Sequence, residues 1–305
     1  MKTEFHAVLR ALSSRVIGKQ EQIKLAMTCL LANGHLLIED LPGMGKTTLS
    51  HALARVFGMD FSRVQFTSDL LPSDMLGVNI FDSVQKQFSF RPGPIFNQLV
   101  LADEINRASP KTQSALLEAM EEKQVSIDGV TYPLPSPFFV IGTQNPGYQS
   151  GTYPLPESQL DRFLMRISLG YPDWDAEKSM LQSSDVHDDN SMVALMTPET
   201  LKEHQLAVGK VHAGDDVLHY ILRLVTRSRE DDHYPNPLSP RATKAILQSA
   251  RAWAYLQDRD YVVPEDVQFI FTAVAEHRLR ASRSDQKDPV VLSKVLLDEV
   301  DPLAA

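Results

Sequence analysis

The chain has 305 residues, of which 43% are hydrophobic and 23% charged, a composition that excludes disorder or a collagen-like repeat and a length that favours two domains. A net charge of −9 argues against a broad nucleic-acid-binding surface, although it leaves room for a local basic channel. Cys29 is the single cysteine, so no intrachain disulfide can form; no stretch approaches a membrane span, and Met1-Lys2-Thr3-Glu4-Phe5-His6 lacks a signal-peptide core, making a cytoplasmic protein the simplest expectation.

Up to about Gly170, apolar strands alternate with helix-like segments, the pattern of a mainly parallel sheet covered by helices. Helices are expected over 21–32, 46–57, 110–122 and 157–162, and strands over 36–38, 63–66, 99–102, 138–142 and 164–169. Residues 125–132 read as a hairpin turning at Asp128-Gly129, and 77–94 as a second hairpin punctuated by Phe81, Phe88 and Phe90. Both hairpins also fit ordinary surface loops, and the phenylalanines a local packing cluster. After Tyr171-Pro172 the strand pattern stops. Helix starts at Thr197-Pro198, Ser239-Pro240 and Val263-Pro264 then predict an all-helical second domain over 173–305, behind an α/β domain over 1–172. Residues 183–191, rich in Ser and Asp, are expected to form an exposed loop.

The chemistry concentrates at strand ends. Leu36-Leu37-Ile38 runs into Asp-Leu-Pro-Gly-Met-Gly-Lys-Thr-Thr at 40–48, a phosphate-binding loop. Gly43 and Gly45 let backbone N–H groups approach phosphate oxygens, Lys46 supplies a cation, and the Thr47 hydroxyl is a magnesium ligand. Leu41, Pro42, Gly43, Met44, Gly45, Lys46, Thr47 and Thr48 are thus the candidate nucleotide-binding residues. Asp40 stands where the general pattern has glycine, and the expectation is that it tolerates a left-handed turn there. Leu99-Val100-Leu101-Ala102 ends in Asp103, expected to hold magnesium, and Glu104, expected to polarise the attacking water. A third apolar strand ends in Asn145, whose amide can orient that water or touch the terminal phosphate, although Asn145-Pro146 also simply turns a chain. Arg162 precedes a strand, where it can reach a neighbouring subunit's phosphates, and Arg241 opens a helix after Ser239-Pro240.

Taken together, these segments resemble an AAA+ ATPase and, more narrowly, the MoxR family. The resemblance rests on the loop with Asp40, on Ala102-Asp103-Glu104-Ile105-Asn106-Arg107-Ala108, on Thr112 to Met120, on Gly142-Thr143-Gln144-Asn145-Pro146, and on Tyr153-Pro154-Leu155-Pro156-Glu157-Ser158-Gln159-Leu160-Asp161-Arg162-Phe163. It runs from about Val16 to Pro264. It implies an AAA+ P-loop core with a parallel five-stranded sheet and a small all-α lid, with ATP and Mg2+ bound. Lys46 and Thr47 would form Walker A, Asp103 and Glu104 Walker B, Asn145 sensor 1, Arg162 the arginine finger and Arg241 sensor 2. Val16, Ile17 and Gly18 match the stretch lining the adenine site in such proteins, and Arg107 is similar to a family arginine near the subunit interface. The two hairpins resemble the helix-2 insert and pre-sensor-1 hairpin.

The resemblance also implies a ring, most simply a hexamer, that matures or remodels client proteins or inserts metal cofactors, often with a von Willebrand factor A domain partner. Two other functions remain open on the residues. A nucleic-acid motor would need basic hairpins, yet 125–132 has no Lys or Arg and 77–90 only Lys86. Against a nucleotide-gated scaffold count the intact Asp103, Glu104 and Arg162.

Overall fold

Strand and helix alternate along the chain in the order that builds a covered parallel sheet. The structure, a computed structural model, describes residues 2–145, 151–182, 192–280 and 290–302. Pro146 and the loop expected over 183–191 lie outside the described residues. In chain order the elements are α1 (Thr3–Ser13), α2 (Gln20–Leu31), β1 (Leu36–Glu39), α3 (Lys46–Val56), β2 (Phe61–Gln65), α4 (Pro72–Leu76), β3 (Gly77–Asp82) and β4 (Gln87–Pro92). Next come β5 (Leu99–Asp103), α5 (Pro110–Glu122), β6 (Gln124–Ile127), β7 (Val130–Pro133), β8 (Phe139–Gln144), α6 (Glu157–Leu160) and β9 (Met165–Ile167). The remainder is helical: α7 (Trp174–Gln182), α8 (Pro198–Val208), α9 (Asp215–Glu230), α10 (Pro240–Leu256), α11 (Pro264–Leu279) and α12 (Leu292–Glu299).

Five strands form one sheet in the order β2-β5-β8-β1-β9, every pairing parallel. Because side chains alternate along a strand, each strand feeds two cores. Leu36, Ile38, Leu99, Leu101, Phe139 and Ile141 pack with α1–α3 and the helices after β9. Leu37, Val100, Ala102 and Val140 pack on the opposite face with α5 residues Leu116, Leu117 and Met120. The parallel register aligns the carboxyl ends of β1, β5 and β8, placing the phosphate loop, Asp103 and Asn145 along one sheet edge.

Both hairpins form. In the β6–β7 pair Val125 faces Tyr132 and Ile127 faces Val130, while Asp128 and Gly129 both have positive φ, 51° and 80°, as a tight primed turn requires. Phe90 of β4 stacks on Tyr132 of β7 at 4.0 Å between ring centroids, joining the two hairpins. Phe81 and Phe88 pair with each other and stay exposed.

Helix starts behave as their sequences predict: Ser239 Oγ accepts from Ala242 N–H at 3.1 Å, and Thr197 Oγ1 from Thr200 N–H at 3.3 Å. The helix expected over 157–162 ends at Leu160, so Asp161 and Arg162 lie in the connection to β9. Helix α1 was missed, although Phe5, Val8 and Leu12 follow helical spacing and are fully buried. Phe5 sits against His204 and Tyr255, with centroids 5.0 and 6.3 Å away, so the amino-terminal helix packs on α8 and α10.

Candidate functional site

The phosphate loop leaves β1 and enters α3 through Gly45, which has φ 87° and no neighbour within 4 Å of where a Cβ would stand. Gly43, with φ 84°, is equally open. Two glycines therefore expose backbone N–H groups to a concavity that a side chain would fill. Pro42, Gly43, Gly45, Lys46, Thr47 and Thr48 line this cavity of about 400 Å3 together with Arg63, Gln65, Asp103, Glu104 and Asn145. Leu41 is exposed and Met44 packs against the core.

Asp40 departs from its expected role. Its φ is not positive. The carboxylate is buried and accepts from Ser168 Oγ at 2.9 Å, from Leu169 N–H, and from Gly170 N–H at 3.3 Å. A glycine cannot do this, so Asp40 ties the loop to the end of β9 where the general pattern offers only a turn.

Lys46 is buried, and its ammonium donates to the carbonyls of Asp40 at 2.6 Å and Leu41 at 3.2 Å and to Asn145 Oδ1 at 3.4 Å. Burial lowers its pKa, while Asp40, Asp103 and Glu104 act in the opposite direction. Asp103 ends β5, where its Oδ1 accepts the Thr143 hydroxyl at 2.6 Å and its Oδ2 accepts Arg63 at 2.6 Å. The Thr143 oxygen in turn accepts Glu104 N–H at 2.9 Å. Glu104 has φ 58°, a left-handed conformation that costs a non-glycine residue about 1 kcal/mol or more. Its carboxylate is held by Asn145 Nδ2 at 3.1 Å, Gln65 Nε2 at 2.9 Å and Arg107 at 3.1 Å. Arg107, expected near a subunit interface, thus engages Glu104 of its own chain. Arg63, Gln65 and Thr143 were not singled out from the sequence; the two β2 residues gain their meaning only from the pairing of β2 with β5.

Arg162 and Arg241 stand elsewhere. Both line a second cavity, about 290 Å3, that shares no residue with the first. Glu121, near the end of α5, bridges them: its Oε2 is 3.0 Å from Arg162 Nε, and its Oε1 accepts from Arg241. Arg241 therefore does not join Lys46 within its own chain. Val16, Ile17 and Gly18 also lie outside the phosphate-loop lining. Gly18 packs so closely on α7 that a Cβ would come within 2.8 Å of Ala176 Cβ.

A carboxylate and a hydroxyl beside an open glycine cradle are hard oxygen donors of the kind magnesium takes, so Asp103 and Thr47 fit a nucleotide-bound divalent ion. Among the described residues no cluster of three His, Cys, Asp or Glu side chains could hold a metal on its own, and no helix is long and apolar enough to cross a membrane.

Comparison with known proteins gives this geometry its class. Residues 35–165 match the model for the ATPase family associated with various cellular activities (AAA), and 228–296 match an AAA lid domain. Over 98% of this chain and 94% of its own, a solved structure from Cytophaga hutchinsonii to which ATPase activity has been ascribed superposes with a TM-score of 0.87 at 34% identity. An MCM homolog from Methanopyrus kandleri, 18% identical with a TM-score of 0.61, shares the fold over 90% of this chain and 59% of its own. The protein is thus an AAA+ ATPase with an α/β P-loop core and a helical lid. Among curated relatives, Chaperone MoxR1 of Mycobacterium tuberculosis is 38% identical over 99% of this chain and 80% of its own, and Protein MoxR of Paracoccus denitrificans 29% over 97% and 95%. Bacillus subtilis YeaC is 46% identical over 87% of this chain and 83% of its own. The chain belongs to the MoxR family.

Proposed function

We propose that the chain hydrolyses ATP at a site completed between two copies of itself, in a ring that is most simply a hexamer. One observation carries this reading: Lys46, Asp103, Glu104 and Asn145 line one cavity, whereas Arg162 and Arg241 line another. On this reading the phosphate loop and Lys46 bind the triphosphate, Glu104 accepts a proton from the attacking water, and Asn145 orients that water while holding the Glu104 carboxylate. Thr47 and Asp103 would hold magnesium, which would supply neutralisation of the phosphate charge. Arg162 and Arg241 act on the nucleotide of the neighbouring copy, exchanging the Glu121 carboxylate for phosphate oxygens.

The name of the relative Chaperone MoxR1 supports a chaperone-like use of this turnover; the family resemblance extends the reading to remodelling, maturation or cofactor insertion of a cytoplasmic client protein, with a von Willebrand factor A domain protein as partner. The nucleotide-binding unit is taken as 1–172 and the lid as 173–305. Turnover per chain measured against protein concentration tests the reading, alongside size measured by light scattering. Specific activity should rise together with assembly. A dispersed chain that turns over at the assembled rate would overturn it.

A further inference from the structure

Arg162 sits in the short connection between α6 and β9, a stretch with little secondary structure to hold it. What grips this connection comes from the lid. Arg278, near the end of α11, is 9% exposed and turns its guanidinium onto it. Nε donates to Asp161 Oδ1 at 2.6 Å, one terminal nitrogen to the carbonyls of Asp161 at 3.2 Å and Phe163 at 2.8 Å, and the other to the carbonyls of Leu164 at 3.1 Å and Val274. Apart from the Val274 carbonyl, these acceptors fall on residues that bracket Arg162. His277, neutral because burial holds its pKa well below the usual value, adds Nε2 to the Phe163 carbonyl at 3.3 Å.

The same node reaches the second arginine. Asp161 Oδ2 accepts the Ser239 hydroxyl at 3.1 Å, and Ser239 caps α10 two residues before Arg241. Asp161 therefore joins the Arg162 connection, the start of α10 and the end of α11 through one carboxylate. Only a planar guanidinium with five donors can satisfy a carboxylate and several carbonyls at once in a buried setting. Arg162 has its own side chain 29% exposed and pairs only with Glu121 among the ion pairs of the described residues, so its reach is set by where its backbone is held.

We propose that Arg278, acting through Asp161, is a positioning residue that fixes Arg162 and Arg241 relative to each other on the face presented to a neighbouring copy of the chain. The proposal rests on the reading that these two arginines serve the neighbour's nucleotide, and it adds a part for α11 of the lid in turnover at the adjacent site. If Arg278 only pinned the lid to the core, its loss would weaken its own chain and spare nothing that a neighbour could restore.

Mixed assemblies separate these cases. A Lys46→Ala subunit has a disabled phosphate loop but an intact arginine face, so it can lend arginines to others. Arg278→Gln assemblies should turn over about 10-fold or more slowly with KM within about twofold of wild type, because misplacement by about 1 Å costs up to ~100-fold. Binding of a fluorescent ATP analogue by the dispersed variant should match wild type. Excess Lys46→Ala subunit should restore turnover at Arg278→Gln sites to the level of wild type mixed with the same excess, and should do the same for Arg162→Ala. Failure to rescue Arg162→Ala sinks the between-subunit reading itself. Rescue of Arg162→Ala but not of Arg278→Gln, or wild-type turnover by Arg278→Gln alone, overturns the positioning role. Should Arg278→Gln not fold, the near-isosteric Asp161→Asn is put through the same mixing, with the same outcomes deciding.

Discussion

The phosphate-loop cavity and the arginine cavity hold their charges in different ways. In the first, Lys46 is seated by carbonyls five and six residues upstream, and Asp103, Glu104 and Asn145 arrive at the ends of the adjacent parallel strands β5 and β8. In the second, Arg162, Arg241 and Arg278 come from distant parts of the chain and are balanced by Glu121 and Asp161. The first is built by a contiguous motif and sheet register. The second exists only because the lid docks on the core, so it is the face through which a change in the lid can reach a neighbour.

The largest expected effect divides the two cavities most sharply. Arg162→Ala should lower turnover by about 10³-fold, as loss of an arginine finger does, with nucleotide binding by the dispersed chain unchanged. Steady-state hydrolysis and a fluorescent-nucleotide titration check it, and a matching loss of binding would erase the distinction. Glu104→Gln should cost about 10²- to 10³-fold in turnover while keeping ATP bound, within the range expected for loss of a general base. Full hydrolysis by that variant would remove Glu104 from the mechanism.

Stability probes give smaller effects. Asp40→Ala strands the buried N–H of Leu169 and the half-buried N–H of Gly170 and should destabilise the fold by about 1–3 kcal/mol in a urea titration, the cost of one buried donor, with the half-buried one adding less. Asp40→Gly, which restores the general loop pattern, should cost as much, because the carboxylate rather than the backbone freedom matters.

Acid probes the arginine side. His35 lines that cavity, its Nδ1 accepting Val140 N–H at 3.0 Å, and burial lowers its pKa from 6.5 to about 4. Its folded pKa lies below its unfolded one, so the unfolded chain binds the extra proton between those values. Stability from this group is complete above about pH 6.5 and falls as pH drops towards 4, by about 2 kcal/mol at pH 5. His277, shifted the same way by burial, adds to the slope. Urea midpoints at pH 7 and pH 5 measure it, and a flat profile would mean the two histidines are open to water. The smallest effect is at Cys29, fully buried with its pKa raised by desolvation: a thiol reagent should label it only on unfolding.

Much of the first cavity was legible because its determinants are local. Glycine spacing, an apolar strand ending in Asp103-Glu104, and a third strand ending in Asn145 are each readable within a few residues. Two local features were still misread. Helix α1 carries an apolar spacing that went unused, and Asp40 was read as a backbone device when its carboxylate is what matters. Arg63 and Gln65 were passed over because their meaning depends on β2 lying beside β5.

By itself, then, the sequence determined the α/β class, the phosphate loop, the acidic strand end and the proline-marked helix starts, since each follows from periodicity or from turn and cap chemistry along adjacent residues, while the two hairpins were legible only as one of two readings. Tertiary structure decided which charges meet. Asp40 finds N–H groups near residue 169, Glu121 finds Arg241, and Asp161 finds Arg278, pairings more than 110 residues apart. A charge takes whichever partner the packing of sheet and lid brings within about 3 Å, and no local pattern encodes that distance.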